Sequence, residues 1–493
     1  MSTLEKLSEL ESRRTAIITK SNEIAKKTAL AQGKLTARER VSTLLDENSF
    51  VEVGTFITSR STAFNMRNNE TPADGVVTGY GTVKGSPVYV YSQDASVLGG
   101  ALGEMHAKKI VRIYEEAIKV GAPVVGFLDT VGVRLQESVD ALEGYGMIYE
   151  KMIQASEIVP QIAVIVGDCA GGAAFVAGLS DFVFMSSKSA RVFLNSPNTL
   201  DDKAASFDTI ATAKVHFEKS GLATVIKDQE ETLIEDVCRI LSYLPQNSVQ
   251  EGPFYEVTDD INRVEASLNN FDFEKQKIKD IVISIVDTGE VLVLNEAYGK
   301  TVLTAFARMD GGTVGIIANT ETRMDYAGVK KVANFVRMCD TYNIPIVTLT
   351  DIEGFASTIE TEQLGIIKAC SEMTKAFAQA SVPKVNVILR YAFGSGYLAM
   401  NSKSLGCDMT YAWPTATVTC LNTDSAMKIM YAKELEEGTL TNVSFAEKAA
   451  EYDELQASAY AAAARGLIDD IIEPAATRKR IIAALEVLAT KER

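Results

Sequence analysis

The sequence predicts an α/β protein made of two similar domains in tandem. Three observations carry that reading. Short apolar runs alternate with helix-length amphipathic segments along most of the chain, the pattern of strands joined by helical crossovers. The 493 residues exceed what one hydrophobic core ordinarily serves. Above all, one pattern occurs twice. Lys108-Lys-Ile-Val-Arg recurs 222 residues on as Lys330-Lys-Val-Ala-Asn, and Ala122-Pro-Val-Val-Gly-Phe-Leu-Asp129 recurs at the same offset as Ile344-Pro-Ile-Val-Thr-Leu-Thr-Asp351. Val159-Pro-Gln-Ile-Ala-Val-Ile recurs 223 residues on as Val382-Pro-Lys-Val-Asn-Val-Ile, and Gly171-Gly172 then falls on Gly394-Ser395. Such a period is far longer than the ~20–50 residues of a solenoid repeat. It places two homologous domains at 1–253 and 254–493, divided in the polar segment between Pro245 and Pro253.

The elements follow in order. Residues 1–32 read as a charged helix with apolar positions at Leu4, Leu7, Leu10, Ile17 and Ile18. Thr36 and Glu39 have the spacing of a capping box and open a second, short helix. Residues 75–93 alternate turns with strands. Each repeat then runs helix, strand ending in Asp, a long helical excursion, strand, glycine turn, helix.

Composition narrows function by exclusion. Asp and Glu number 65 against 49 Lys and Arg, a net charge of −16, which argues against nucleic-acid or anionic-membrane binding but permits an anionic small ligand on a local basic patch. Cys169, Cys238, Cys339, Cys370, Cys407 and Cys420 are scattered without paired spacing, so neither a disulfide framework nor a metal site is expected. The opening Met-Ser-Thr-Leu-Glu-Lys has no signal pattern, and no apolar run approaches the ~18 residues of a membrane span; a cytoplasmic protein is expected. Only His106 and His216 are histidines. Histidine is the usual general base near neutral pH, so the chemistry uses carboxylates or needs no side-chain base.

The segment Gly167-Asp-Cys-Ala-Gly-Gly172, after the apolar run Ile162–Val166, reads as strand, sharp turn, helix. It can present Cys169 as a nucleophile, cradle a phosphate, serve packing alone, or present backbone N–H groups. No histidine is placed by sequence to activate the thiol. Neither copy has the Gly-x-x-x-x-Gly-Lys-Ser/Thr of a phosphate loop, and Gly394-Ser-Gly396 followed by Tyr397 is no dinucleotide fingerprint. An oxyanion hole fits both copies. Its second donor would come from the loop after the preceding strand, Asp129-Thr-Val-Gly-Val-Arg134 in one copy and Asp351-Ile-Glu-Gly-Phe355 in the other, each with glycine (Gly132, Gly354) three residues past the Asp. The second turn carries no cysteine, which points to the N–H groups the copies share. Gly99, Gly100 and Gly103, ahead of Lys108 and Lys109, can anchor phosphates at a helix start or be a loop beside two solvated lysines. Trp413 reads as part of a packed turn.

Val77-Thr-Gly-Tyr-Gly81, Gly99-Gly-Ala-Leu-Gly-Glu-Met-His-Ala-Lys108, Leu142-Glu-Gly-Tyr-Gly146, Asp168-Cys-Ala-Gly-Gly172, Val314-Gly-Ile-Ile-Ala-Asn319, Cys339-Asp-Thr-Tyr-Asn-Ile-Pro-Ile-Val347 and Tyr411-Ala-Trp-Pro-Thr415 resemble the carboxyltransferase subunit of biotin-dependent acyl-CoA carboxylases and decarboxylases, over about residues 30 to 490. Tyr397-Leu-Ala-Met400 is closest to the decarboxylase branch. The resemblance implies two crotonase-like (ClpP-like) domains and a hexamer that is a trimer of dimers. Acyl-CoA would lie on the first domain of one subunit, and biotin would enter against the second domain of another. Gly171 and Gly172 with Gly132 and Val133 would hold the thioester enolate oxygen; Ser395 and Gly396 with Gly354 and Phe355 would hold the biotin ureido oxygen. Further ligand contacts would be Gly99, Gly100, Lys108, Ala170, Tyr397 and Leu398, the last at the acyl end. Release of CO2 from carboxybiotin would make the base in place, in keeping with the scarcity of histidine. Each backbone donor would lower the barrier by ~2.7–4 kcal/mol, and Cys169 would be a small packed residue. The chain has no Ala-Met-Lys-Met biotin acceptor and no ATP-grasp region. Biotin is therefore expected on a separate carrier protein, with a biotin carboxylase or a decarboxylase membrane subunit as further partner.

The sequence departs from the family where the site is expected. Val131 stands where a glycine is usual, Asp168 for proline, Glu353 for proline and Ser395 for glycine. Lys368-Ala-Cys370 replaces Arg-His-Gly, and Cys420–Ala426 is not glycine-rich. The loop at Asn195-Ser-Pro-Asn-Thr-Leu200 lacks Thr-Gly-Glu. Val131 resists φ > 0, so the first loop is expected to bend differently. Two readings follow: an active carboxyltransferase, or a catalytically impaired paralogue that serves as a scaffold.

Overall fold

The computed structural model describes residues 2–491. The chain divides between Glu251 and Gly252 into two compact units, inside the polar segment and two residues ahead of the boundary read from the sequence.

The first unit is built on a sheet of β1 (Val51–Glu52), β2 (Val76–Val83), β3 (Ser86–Gln93), β4 (Val124–Thr130), β5 (Gln161–Ala170), β6 (Phe182–Ser186), β7 (Arg191–Phe193) and β8 (Val225–Lys227). Its order is β1-β2-β3-β4-β5-β6-β8, with β7 paired to the far end of β5. The second unit comprises β9 (Val291–Leu294), β10 (Val302–Met309), β11 (Gly312–Asn319), β12 (Arg323–Met324), β13 (Ile346–Ile352), β14 (Gly354–Phe355), β15 (Lys384–Phe393), β16 (Met409–Ala412), β17 (Thr417–Thr419) and β18 (Asp470–Ile471). Its main sheet, β9-β10-β11-β13-β15-β16-β18 with β17 on the end of β15, repeats the first strand for strand. In each sheet an antiparallel hairpin (β2–β3, β10–β11) leads into parallel strands. The offset holds in three dimensions: β4 and β13 are 222 residues apart and β5 and β15 are 223 apart, end to end. The two-stranded β12–β14 pair corresponds to a single bridge, Leu102 to Val133, in the first unit.

Local sequence accounts for the elements. The central parallel strands are covered on both faces and read as unbroken apolar runs; every residue of β4 and β13 is buried. The helix Glu104–Val120 buries Ala107, Ile110, Ile113 and Ala117 on one stripe and ends at Gly121 with φ 71°, the left-handed C-terminal position glycine takes without strain. Its counterpart, Tyr326–Thr341, is capped by Asp325, which accepts from the Gly328 N–H at 2.7 Å. At the amino end a helix spans Thr3–Gln32. The capping box at Thr36 forms as the spacing predicts, with Glu39 N–H on Thr36 Oγ1 at 3.2 Å and Thr36 N–H on Glu39 Oε2 at 2.8 Å. Two buried lysines also share the offset. Lys109 Nζ donates to the carbonyls of Ala73 (2.8 Å) and Val76, and Lys331 Nζ to those of Tyr298 (2.7 Å) and Asn295. Burial lowers their pKa values to about 7 and about 8. Lys109, which the sequence left open between a phosphate anchor and a solvated lysine, instead ties down the segment that enters the hairpin.

Trp413 is fully buried in the second core, packed edge-on to Phe271, and its indole N–H donates to Thr477 Oγ1 at 2.9 Å. It is the chain's single tryptophan, so its fluorescence reports on the second unit. Thr477→Val leaves the indole donor unpartnered in the core and is expected to destabilise that unit by about 1–3 kcal/mol. Urea unfolding followed by tryptophan emission checks this; an unchanged midpoint contradicts it.

Candidate active site

In each unit two adjacent parallel strands, β4 and β5 or β13 and β15, lose register at the same place. Leu128 pairs with Ile165, but Thr130 pairs with Cys169, so Asp129 alone faces the stretch Val166-Gly-Asp168. In the second unit Thr350 pairs with Ile388 and Ile352 with Ala392, leaving Asp351 opposite Leu389-Arg-Tyr391. The two extra residues bulge the longer strand just ahead of the glycine turn, and such irregularities are frequent beside functional sites.

Both turns need glycine for the same reason. Gly171 has φ 58° and ψ −118°, and Gly394 has φ 53°; side-chain-bearing residues rarely adopt these values. The loops they face have Gly132 at φ 103° and Gly354 at φ 150°. The loop and turn touch in both units. A β-carbon on Gly132 would lie 3.1 Å from the Ala170 carbonyl oxygen, and one on Gly396 would lie 3.0 Å from Gly354 Cα.

The N–H groups of loop and turn can be followed one by one. Gly132 C=O accepts from Leu102 N–H and Arg134 N–H donates to Leu102 C=O, each at 2.9 Å. A residue flanked by such bonds directs its own N–H away from the partner strand, and Val133 N–H has no acceptor among the described residues. Phe355 is its equivalent. It pairs with Met324, whose carbonyl accepts from Ala356 N–H at 2.8 Å. At the first turn Gly171 N–H is spent on Phe193 C=O at 2.9 Å. Gly172, first residue of the helix Gly172–Leu179, has no intrahelical partner for its N–H. The loop is anchored at its far end by Arg134, fully buried, whose guanidinium holds Asp74 and Glu137 at 2.8 Å and the Ala101 carbonyl at 3.0 Å.

The departures leave this frame intact. Val131 does not take positive φ; that conformation moves to Gly132. Val131 donates its N–H to Gly99 C=O at 3.1 Å and its side chain is 57% exposed, so it does not fill the turn. Gly99 and Gly100 pack on the same loop, and a β-carbon on Gly100 would lie 2.1 Å from the Asp129 carbonyl oxygen. Asp168 pairs with Arg191 at 3.1 Å, and that guanidinium lies 4.8 Å over the Phe207 ring. Together with Lys34, Gly99 and Val131 this pair lines a cavity of about 630 Å³, within the ~300–1,000 Å³ of small-molecule sites. The second unit has a cavity of the same size at Asp351 and Arg390, lined also by Phe273, Lys277, Lys300 and Lys331.

Other sequence-derived candidates lie apart. Lys108 is bound to Glu104 at 2.6 Å and half exposed, and it does not line the cavity. Ala170 ends β5, next to the first turn. Tyr397 is buried in a core cluster, whereas Leu398 beside it is 47% exposed. Cys169 is fully buried. Burial, and then the Asp168 charge, pushes its thiol pKa far up, so it supplies no thiolate. His106 is no base either: its Nδ1 meets the Asp74 carbonyl and its Nε2 meets Gln93 Nε2, and burial holds its pKa well below the usual range. Sequence reasoning missed Lys34, Arg40, Gly167 and Arg390. These surround the two buried aspartates, and only the shared offset of Gly167 and Arg390 hinted at them.

The chain matches the model of the carboxyl transferase domain family over residues 28–493. It is 40% identical over 94% of its length to the methylmalonyl-CoA decarboxylase subunit alpha of Propionigenium modestum, covering 91% of that protein. It is 38% identical over 98% of its length to the propionyl-CoA carboxylase beta chain of Roseobacter denitrificans, covering 96% of it. Among solved structures it is similar to the transcarboxylase 12S hexamer crystallised with hydrolysed methylmalonyl-coenzyme A, with a TM-score of 0.95 and 37% identity across all of this chain and 97% of that one.

A β-carbon on Gly172 would sit 3.0 Å from both the Tyr145 ring and the Tyr149 hydroxyl, which itself holds the Gly172 carbonyl at 2.7 Å. Gly172→Val is therefore expected to displace the turn and lower turnover by at least the ~10²–10³-fold of a lost oxyanion donor. Cys169→Ala is expected to keep at least half of wild-type turnover, and iodoacetamide on native protein to label the exposed Cys420 and spare Cys169. Full activity in the first variant, or loss in the second, contradicts the assignment.

Proposed function

The chain belongs to the carboxyl transferase domain family, and from that premise we propose how it works: it moves a carboxyl group between carboxybiotin and a short-chain acyl-CoA of the propionyl/methylmalonyl type, using two backbone oxyanion holes. The observation that carries this reading is the duplicated frame, in which each unit has a loop glycine and a turn glycine at positive φ (Gly132 and Gly171, Gly354 and Gly394) and the loop packs against the turn segment, Gly132 on Ala170 and Gly354 on Gly396. In the first unit Gly172 and Val133 N–H groups receive the thioester oxygen as it gains negative charge, with Gly132 and Gly171 shaping the backbone. In the second, Ser395 and Phe355 N–H groups, shaped by Gly354 and Gly396, receive the ureido oxygen of biotin. Biotin, carried on a separate protein, supplies the carboxyl group and, after its release, the base. The residues of this chain hold the two oxygens, fix their approach and exclude water. Gly99 and Gly100 leave room for coenzyme A beside the first loop, Ala170 borders it, and Lys108 offers a surface charge for its phosphates. Leu398 borders the acyl end, with the buried Tyr397 packed behind it.

Assembly belongs to the same reading. Apolar side chains are exposed at matched repeat positions: Leu142 (64% exposed) and Phe175 (51%) in the first unit, Leu364 (54%) and Leu398 (47%) in the second. Surfaces of this kind call for a partner, and a hexamer like the 12S core covers them between subunits, acyl-CoA side against biotin side. The carrier and a biotin carboxylase or decarboxylase membrane subunit complete the system in the cytoplasm. No helix among the described residues is long and apolar enough to cross a membrane. Nothing favours the scaffold alternative, since all four glycine conformations survive the substitutions around them.

Purified protein incubated with methylmalonyl-CoA and free biotin is expected to release propionyl-CoA, followed by chromatography of the coenzyme A esters. Silence from folded hexamer towards methylmalonyl-, malonyl-, ethylmalonyl- and glutaconyl-CoA alike would sink the proposal.

A further inference from the structure

Each unit buries a carboxylate at the register mismatch, and the two are neutralised differently. Asp351 accepts from Arg390 Nε (3.3 Å) and Nη2 (3.0 Å) and from Tyr391 N–H (3.0 Å), while its own N–H donates to Asn319 Oδ1 at 3.2 Å. It thus joins the start of the hole loop, residues 351–355, to the strand that runs into the turn at Gly394. Asp129 repeats the backbone part: its N–H donates to Gln93 Oε1 at 3.2 Å. The cation differs. The position of Arg390 is Gly167 in the first unit, and a β-carbon there would lie 1.8 Å from Asp129 Oδ1. No side chain can grow from that strand, so the charge comes from elsewhere. Lys34 Nζ lies 3.4 Å from both oxygens, and Arg40 Nη2 lies 3.3 Å from Oδ2 while its Nε holds Glu230 at 2.8 Å. Lys34 and Arg40 stand in the link after the amino-terminal helix and in the helix Ala37–Leu44. An unpaired carboxylate at these depths is strongly disfavoured, so each loop depends on its own cation.

On the two-hole reading above, we propose that Asp129 and Asp351 are positioning residues, each locking the loop that carries one donor of its hole, and that the locks draw on separate cations. The amino-terminal segment, through Lys34 and Arg40, governs the acyl-CoA hole, and Arg390 governs the biotin hole. Neither aspartate touches a reacting atom. Each acts by holding Val133 or Phe355 in place, and a misplacement of about 1 Å in such a group costs roughly 10²-fold in rate.

The test uses full-length oligomer, steady-state kinetics with methylmalonyl-CoA and free biotin, and hydrogen–deuterium exchange of the two loops. Asp129→Asn and Asp351→Asn are expected to lower kcat roughly 10²-fold, with KM for both substrates changed by less than about threefold. Arg390→Lys, which keeps a cation, is expected to retain at least about a third of kcat. The exchange pattern is the decisive readout. Asp129→Asn and Lys34→Met speed exchange in residues 130–134 and leave 352–356 as in wild type; Asp351→Asn and Arg390→Met do the reverse. Loops that exchange as in wild type, or that loosen together in every variant, overturn the proposal. A wild type without turnover defeats the two-hole reading instead, and the exchange pattern still decides the positioning claim.

Discussion

One residue facing three across a pair of parallel strands is the constraint on which the site depends. The mismatch opposite Asp129 and Asp351 breaks the regular ladder just where a second loop packs against the turn segment that follows. Parallel strands buried on both faces cannot leave backbone groups unpaired without cost. Where the ladder breaks, its polar groups must be met by something else. Here side chains from neighbouring elements do so: Gln93 and Asn319 take the aspartate N–H groups, and basic residues take the carboxylates. In the proposed function the N–H groups of Val133, Phe355 and Gly172 are the ones that receive the ligand oxygens.

This arrangement explains why reactive side chains are sparse. Cys169 is packed and its thiol held neutral; His106 is locked between Asp74 and Gln93. Fixed N–H dipoles need no reorganisation when negative charge develops on an oxygen, which is where backbone donors gain over side chains. What they need instead is rigidity. The buried carboxylates, Arg134 with its two acidic partners, and the paired lysines Lys109 and Lys331 all tie loops to the sheets. The two units reach the same backbone geometry with different surroundings, so that geometry tolerates substitutions such as Val131 and Ser395.

Much of the fold was legible in the sequence, because duplication places two noisy patterns in register. The 222- and 223-residue offsets recur as the offsets of β4/β13 and β5/β15, and the paired glycines mark the positions that take positive φ. Less legible were the supports. Lys34 and Arg40 act on Asp129 from 95 and 89 residues away, a separation that no local pattern encodes. Gly167 and Arg390 look unrelated until their strands are superposed, and only then does the glycine read as space for a carboxylate. Val131 misled in the other direction. Its β-branch implied a rebuilt loop, yet the strained conformation belongs to Gly132 next door.

The central claim is that backbone donors in the first unit polarise the thioester oxygen. Isotope-edited infrared spectroscopy of propionyl-CoA labelled with carbon-13 at its carbonyl, bound to the protein, tests this most directly. Two N–H donors in a dry site are expected to move the carbonyl stretch to lower frequency than in water, and Gly172→Val to abolish that shift. A bound thioester whose carbonyl stretch matches that in water would contradict the account.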